Sequence, residues 1–150
     1  MILEYRRLSK WYGRVIALND VSLSIPPGIT GLLGPNGAGK SSFMRIAIGL
    51  MRESSGTVSV LGASPWNNPG LAVRIGYCPE HDGFYESMTG LEFVASLARL
   101  RGTAEAGRAA RETIERVKLS DASGRKIAGY SRGMRQRLKI AQAVVHRPEL

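Results

Sequence analysis

The stretch that decides the fold of this chain is Gly34-Pro35-Asn36-Gly37-Ala38-Gly39-Lys40-Ser41. It fits the pattern G-x-x-x-x-G-K-[ST] of a phosphate-binding P-loop. Its glycines allow successive backbone N–H groups to turn inward around phosphate oxygens without a Cβ clash. Lys40 then reaches the β- and γ-phosphates, and the Ser41 hydroxyl can ligate Mg²⁺. The sequence therefore predicts a nucleotide-phosphate site with Mg²⁺, and Ser42 is included in it.

The residues on either side of the P-loop support this interpretation. Residues 29–33 are apolar apart from Thr30 and Gly31, and they predict a short buried strand. Residues 42–50 predict a helix, with its start near Lys40. A helix that begins there directs its positive end at the same phosphates.

Composition places few limits on the fold but excludes several classes of protein. The chain has 150 residues, of which 43% are hydrophobic and 22% are charged, as in an ordinary soluble domain. It contains no apolar run of the roughly 20 residues that span a bilayer, and its first residues lack the apolar core of a secretion signal. Cys78 is the only cysteine, which excludes an internal disulfide and fits a reducing cytoplasm; we expect it in the core.

The net charge of +9 allows two interpretations. Such an excess of cations can indicate binding to nucleic acid or to an anionic membrane surface. Here the arginines are scattered, and only residues 132–139 form a dense basic stretch. We therefore favour a basic segment of a larger protein over direct nucleic-acid binding.

The order of predicted elements indicates an α/β protein. Strand-like patterns occupy residues 2–25, 56–62 and 74–79, and residues 26–28 predict a turn. Thr89 and Glu92 form a capping box that begins a helix to residue 100, and residues 104–119 predict a second helix. After a loop at 120–130, Ser131 is placed to cap a third helix over residues 132–146, which ends before Pro148.

A second motif identifies a family. The run Tyr130-Ser131-Arg132-Gly133-Met134-Arg135-Gln136-Arg137-Leu138 resembles the signature motif (LSGGQ) of ABC-type ATPases; we call it the signature segment. Tyr12-Gly13 matches the position of the family's adenine-stacking aromatic residue, and Gly76-Tyr77-Cys78-Pro79-Glu80 matches its Q-loop. The resemblance runs from Ile2 to Leu150.

The resemblance implies a fold and its division. We expect a P-loop NTPase core with an antiparallel N-terminal β subdomain and an inserted helical subdomain, incomplete in this chain. Residues 1–150 would be a partial ABC nucleotide-binding domain, with the β subdomain and P-loop core at about 1–84 and the helical subdomain at about 85–150.

The resemblance also implies roles for individual residues. Tyr12 would stack on the adenine of ATP, with Trp11 as the rival for that role. Ser131 and Gly133 would present a hydroxyl and a backbone N–H to the γ-phosphate held by the P-loop of a second nucleotide-binding domain, so that two domains enclose two ATP molecules. Glu80 stands at the Q-loop position, as a Mg²⁺ ligand or as a plain loop residue.

Three departures from the family pattern affect the expected chemistry. Glu80 replaces the usual glutamine, and Arg132 and Met134 replace the common glycine and glutamine of the signature. In the family, a run like residues 146–150 leads into the Walker B aspartate and the catalytic glutamate. We therefore expect no catalytic residue within these 150 residues, with Glu80 only a possible Q-loop equivalent. We also expect them alone to bind nucleotide weakly and to hydrolyse it negligibly.

The function implied is that of the ATP-binding subunit of an ABC transporter, of the exporter kind. It would be cytoplasmic and peripheral on the inner face of the cell membrane, and it would dock on transmembrane subunits near Phe84, Tyr85 and Met88. No specific nucleic acid is expected. Two alternatives remain open: a soluble ABC-type ATPase that acts on ribosomes or DNA, and a non-hydrolytic nucleotide-binding scaffold.

Overall fold

The computed structural model describes all residues from Met1 to Leu150. They form two compact units, Met1–Ala72 and Val73–Leu150, so the division predicted near residue 84 lies inside the second unit. The first unit contains β1 (Leu3–Tyr12), β2 (Val15–Ile25), α1 (Lys40–Ala47), β3 (Ser55–Val60) and α2 (Pro69–Ala72). The second contains α3 (Gly90–Leu100), α4 (Ala106–Arg116) and α5 (Arg132–Val144), with short 3₁₀ turns at Ser120–Ala122 and Ile127–Gly129.

The first unit is built on an antiparallel sheet with the strand order β2-β1-β3. A tight turn at Gly13 joins β1 to β2, and its positive φ of 58° is a conformation that glycine adopts without strain. The core of the unit lies where β1 meets α1. There the Tyr5 ring stacks on Phe43 with centroids 4.2 Å apart, and the Tyr5 hydroxyl donates to the Phe43 carbonyl at 2.9 Å.

The prediction of a buried strand over residues 29–33 is wrong. The structure gives these residues no strand, and the side chains of Ile29 and Leu33 are exposed. A strand needs a neighbour to accept and donate its backbone hydrogen bonds, and no strand of this chain pairs with residues 29–33. The helix predicted to residue 50 ends at Ala47, because Gly49 turns the chain with a φ of 73°.

The second unit is a cluster of helices that pack closely through small and apolar side chains. Val94 and Ala98 of α3, Ala110 of α4, and Leu138 and Ala141 of α5 are all fully buried in one core. The alanines allow the helix backbones to approach closely. The predicted capping box is confirmed: the Glu92 N–H donates to Thr89 Oγ1 at 3.2 Å, and the Thr89 N–H donates to the Glu92 carboxylate at 2.8 Å.

Residues 74–79 do not form the predicted strand, although part of that pairing is present. The Gly76 N–H donates to the Leu150 carbonyl at 2.7 Å, and the Leu150 N–H donates to the Arg74 carbonyl at 3.3 Å. The Arg74 guanidinium also holds the Glu149 carboxylate through two hydrogen bonds. The contact is only two residues long, which is too short for a regular strand. Cys78, expected in the core, is exposed.

The remaining boundaries follow local backbone preferences. Ser131 caps α5 as predicted, and that helix ends at Val144, ahead of Pro148. The helix predicted over 104–119 is shorter at both ends, and Lys118, with a φ of 56°, turns the chain just after it. The predicted loop at 120–130 contains the two 3₁₀ turns. No helix of the chain has both the length and the apolar character that a membrane crossing requires.

Gly90 at the start of α3 provides a test of this packing. A Cβ at this position would collide with the Tyr130 ring and hydroxyl, and that hydroxyl donates to the Ala122 carbonyl at 2.7 Å. We predict that Gly90→Ala lowers the free energy of unfolding by about 1–3 kcal/mol, measured by chemical denaturation. The matched control is Gly107→Ala in α4, where a Cβ meets nothing closer than 3.7 Å; it should be neutral or stabilising by about 0.5–1 kcal/mol. Equal destabilisation by both changes would contradict the prediction.

His146 provides a second test, based on pH. Its Nε2 lies 3.2 Å from the Ile75 carbonyl oxygen, and its Nδ1 is buried without a partner. Burial lowers the pKa of the imidazole, partly opposed by the bond to Ile75. The unfolded chain therefore binds this proton at a higher pH than the folded protein does. The stabilisation is fully present above the ordinary histidine pKa of about 6.5 and is lost as the pH falls below it.

We therefore predict that the free energy of unfolding falls between about pH 7 and pH 5, and that His146→Gln makes this fall shallower. Denaturation curves at several pH values measure the slope. Arg147→Met is the control, because arginine does not titrate in this range. An unchanged slope in His146→Gln would refute the assignment to His146.

Candidate nucleotide-binding site

The P-loop meets α1 at Gly39, where the structure leaves backbone donors open. Gly39 is the N-cap of α1 and has no side chain with which to cap it. The N–H groups of Lys40, Ser41 and Ser42 have no acceptor within the protein. Unpaired N–H groups at the start of a helix, together with the helix dipole, form a site for an anion.

Gly39 is held in place by both its conformation and its surroundings. Its φ of 83° is in the left-handed region, which glycine adopts most readily. A Cβ there would also collide with the Ala17 carbonyl oxygen and the Leu18 side chain of β2. The start of α1 is therefore pressed against β2, which fixes the direction of its open N–H groups.

The Lys40 ammonium lies over the P-loop. Its Nζ donates to the carbonyl oxygens of Gly34 at 2.7 Å and Pro35 at 2.6 Å. An ammonium has three N–H donors, so one remains for a further acceptor. The loop backbone thus places a positive charge beside the open N–H groups of the helix.

Two neighbouring serines of α1 have different surroundings. The Ser41 side chain is exposed, and its hydroxyl makes no hydrogen bond. This fits the predicted Mg²⁺ ligand, because Mg²⁺ is usually held by one or two protein oxygens together with phosphate oxygens and water. The Ser42 hydroxyl lies 3.0 Å from the Tyr12 hydroxyl.

The structure brings Tyr12 to the P-loop helix. Its hydroxyl lies between Ser42 Oγ, at 3.0 Å, and Met51 Sδ, at 2.8 Å. The ring is 44% exposed, and Lys10 Nζ lies 5.4 Å from its centroid. Trp11 is equally exposed, but successive strand residues point to opposite faces. Tyr12, and not Trp11, therefore faces α1.

In the second unit, the signature segment begins α5. The Ser131 hydroxyl oxygen accepts the Met134 N–H at 3.3 Å, so Ser131 is the N-cap. Ser131, Arg132 and Gly133 are all exposed, and the space above Gly133 is open. The Arg132 guanidinium makes no ion pair or hydrogen bond. This is a second helix start that offers a hydroxyl, backbone N–H groups and a free cation.

The other cations of the basic stretch are engaged within the unit. Arg135 binds the Glu86 carboxylate through two hydrogen bonds, Lys139 lies 3.2 Å from the Asp82 carboxylate, and Arg137 donates to the Lys118 carbonyl at 2.6 Å. Our sequence reasoning missed this network. The sequence does contain one signal of it. Asp82 and Glu86 are four residues apart, and Arg135 and Lys139 have the same spacing.

Glu80 is exposed, and only its backbone is held: its carbonyl accepts a hydrogen bond from Lys139 Nζ at 2.9 Å. It lies in the second unit, whereas Ser41 lies in the first. No group of three or more His, Cys, Asp or Glu side chains could hold a metal ion.

Comparison with known proteins shows the family to which the chain belongs. A family model described as "ABC transporter" matches residues 18–150. The chain is 39% identical to the bacitracin transport ATP-binding protein BcrA of Enterococcus faecalis, over 100% of this chain and 50% of that protein. It is 37% identical to the daunorubicin/doxorubicin resistance ATP-binding protein DrrA of Streptomyces peucetius, over 99% and 46%. The chain therefore spans about half the length of the curated relatives that it matches.

Solved structures agree on the fold. An ATP-binding subunit of an ABC transporter matches with a TM-score of 0.85 at 30% identity, over 99% of this chain and 63% of that one. The ADP conformation of MJ1267, an ATP-binding cassette of an ABC transporter, has a TM-score of 0.85 at 23% identity, over 99% and 66%, and supports the fold alone. The predicted partial P-loop NTPase fold is confirmed, and the chain belongs to the ABC transporter family of ATP-binding proteins.

Proposed function

We propose that this chain carries the phosphate-binding and signature parts of the ATP-binding subunit of an ABC transporter. The observation that carries the proposal is the start of α1, where three open N–H groups, the Lys40 ammonium and the Tyr12 ring lie together. The open donors and the ammonium suit a polyphosphate, and the ring suits a base.

In this proposal the phosphates of ATP lie on the P-loop. The N–H groups of Lys40, Ser41 and Ser42 donate to phosphate oxygens, and the third N–H of Lys40 Nζ reaches the γ-phosphate. In the hydrolysis of ATP, charge develops on the phosphoryl oxygens, and fixed donors stabilise it without reorganising. Mg²⁺, if bound, would neutralise part of the same charge, and Ser41 would be a protein ligand for it; the role of Glu80, which lies in the second unit, stays a prediction.

The start of α5 is the second proposed phosphate site. Ser131 and Gly133 would contact the γ-phosphate on the P-loop of another nucleotide-binding domain, so that the working unit is a dimer. The free guanidinium of Arg132 stands beside them and adds positive charge. This supports a role for Arg132 toward phosphate.

The proposed membrane partner docks near residues 84–88. Of the three predicted contact residues, Phe84 packs edge-on against Phe93, with centroids 5.2 Å apart, and Met88 is partly buried. Tyr85 is 69% exposed and is the side chain available to a partner. A position on the inner face of the membrane follows from such a partner. The name of a Nod factor export ATP-binding protein of Cupriavidus metallidurans, which is 33% identical over 99% of this chain, supports an exporter.

The alternative of a soluble ATPase on ribosomes or DNA gains no support from the basic stretch. Arg135, Arg137 and Lys139 are bound to acceptors of their own unit. The excess charge of +9 is therefore not concentrated there on an open surface.

Replacement of Lys40 tests phosphate binding. Lys40→Met in the full-length protein should weaken ATP binding by about 10- to 100-fold, because a charged hydrogen bond to phosphate is lost. Calorimetric titration with ATP and Mg²⁺ measures it. Arg45→Met is the matched control, because it removes the same charge from the exposed face of the same helix without touching the P-loop. If both variants bind ATP like the parent, the proposal is wrong.

Replacement of Tyr12 and of Trp11 distinguishes their roles toward the base of ATP. Tyr12→Ala should weaken ATP binding by about tenfold through lost stacking, whereas Trp11→Ala should change it little. Tyr12→Phe removes only the hydroxyl contact with Ser42, so it should retain most of the affinity. Titration with ATP and with inorganic triphosphate measures the effect, which should appear only for ATP. If Trp11→Ala loses more ATP affinity than Tyr12→Ala, the residue that stacks on adenine is Trp11 and not Tyr12.

A further inference from the structure

An ion-pair network joins residues 80–86, which we call the acidic loop, to the side of α5. Arg135 and Lys139 stand four residues apart and so share one face of the helix. The Arg135 guanidinium donates to both Glu86 carboxylate oxygens, at 2.8 Å and 2.7 Å, and lies 3.5 Å from the Asp82 carboxylate. Hydrogen bonding to Arg135 holds the pKa of Glu86 below its ordinary value, so this pair stays charged near neutral pH.

Lys139 makes the network more than a surface ion pair. Its side chain is only 8% exposed, and its Nζ lies 3.2 Å from Asp82 Oδ1 while donating to the Glu80 carbonyl at 2.9 Å. A buried cation is tolerated only with such partners, and removing one of them is costly. Asp82 therefore lies between two cations of the same helix.

Backbone hydrogen bonds also connect the end of the acidic loop to the residues that precede α5. The Ala128 N–H donates to the Glu86 carbonyl at 3.1 Å, and the Ile127 N–H donates to the Met88 carbonyl at 2.9 Å. Arg135 also donates to the Ile127 carbonyl at 3.2 Å. Residues 127–130 lead directly into Ser131, the N-cap of α5. Side chains and backbone therefore attach the acidic loop to both sides of the start of this helix.

We propose that Arg135 and Lys139 are positioning residues, which hold the start of α5 and the acidic loop as one body. Ser131 and Gly133, at the start of that helix, thereby keep a fixed position relative to the loop. This inference rests on the proposed function, since it gives the start of α5 a ligand whose binding depends on its position. Neither cation touches the nucleotide; both act through the geometry of the helix start.

The test compares binding with turnover in the full-length protein assembled with its membrane subunits. Arg135→Met and Lys139→Met should each lower kcat for ATP hydrolysis by about three- to tenfold while KM for ATP changes less than about twofold, because the P-loop lies in the other unit. Arg135→Lys keeps a cation that faces Glu86 and Asp82, so it should recover part of the kcat lost in Arg135→Met. Arg147→Met, which breaks an exposed ion pair with Glu112 in the same unit, is the control and should change neither constant.

The results separate failure of the positioning role from failure of the proposed function. An equal loss of kcat in Arg147→Met would overturn the positioning role. So would failure of Arg135→Lys to recover any activity over Arg135→Met while both proteins stay folded by circular dichroism. A parent-like kcat in Arg135→Met and Lys139→Met would also overturn it. If the parent protein neither binds nor hydrolyses ATP, the proposed function fails and this inference falls with it.

Discussion

The candidate nucleotide site depends on the contact between Gly39 and β2. The absence of a Cβ lets the first turn of α1 lie directly against the Ala17 carbonyl, and the positive φ of Gly39 turns the preceding loop away from the helix axis. The next residue, Lys40, folds back over the carbonyls of Gly34 and Pro35. The sheet matters here as the surface that fixes the direction of α1.

Tyr5 and Tyr12 show how one strand serves both stability and the site. Tyr5 is buried, with its ring on Phe43, and burial raises its pKa far above the ordinary value, so it stays neutral and donates its hydrogen bond to α1. Tyr12 lies seven residues further along β1 and contacts the same helix through Ser42, with its ring still partly exposed. Tyr5, near the start of β1, holds α1 through a buried contact. Tyr12, at the end of β1, makes a partly exposed contact with the same helix.

The sequence predicted features that depend on local chemistry. The P-loop, the capping box of Thr89 and Glu92, and the cap at Ser131 each require only a few consecutive residues, and the structure has each helix start as predicted. It failed for residues 29–33 and 74–79, because burial of a strand depends on neighbours that its own residues do not specify. It also missed the bonds of Arg135 and Lys139 to the acidic loop, more than forty residues away, since a basic run looks the same whether it is paired or free.

The starts of the helices differ in a way that favours an anion at two of them. At α3, Glu92 places a carboxylate in the first turn, and at α4 the N-cap residue is Glu105; both suit the positive end of a helix. The first turns of α1 and α5 contain no acidic residue and begin instead with Lys40 and Arg132. A cation at that end is unfavourable by about 0.3–1 kcal/mol in an isolated helix. The arrangement becomes favourable when a phosphate binds to the same N–H groups. A phosphate at either of these two helix starts would therefore offset the unfavourable position of the helix's own first cation.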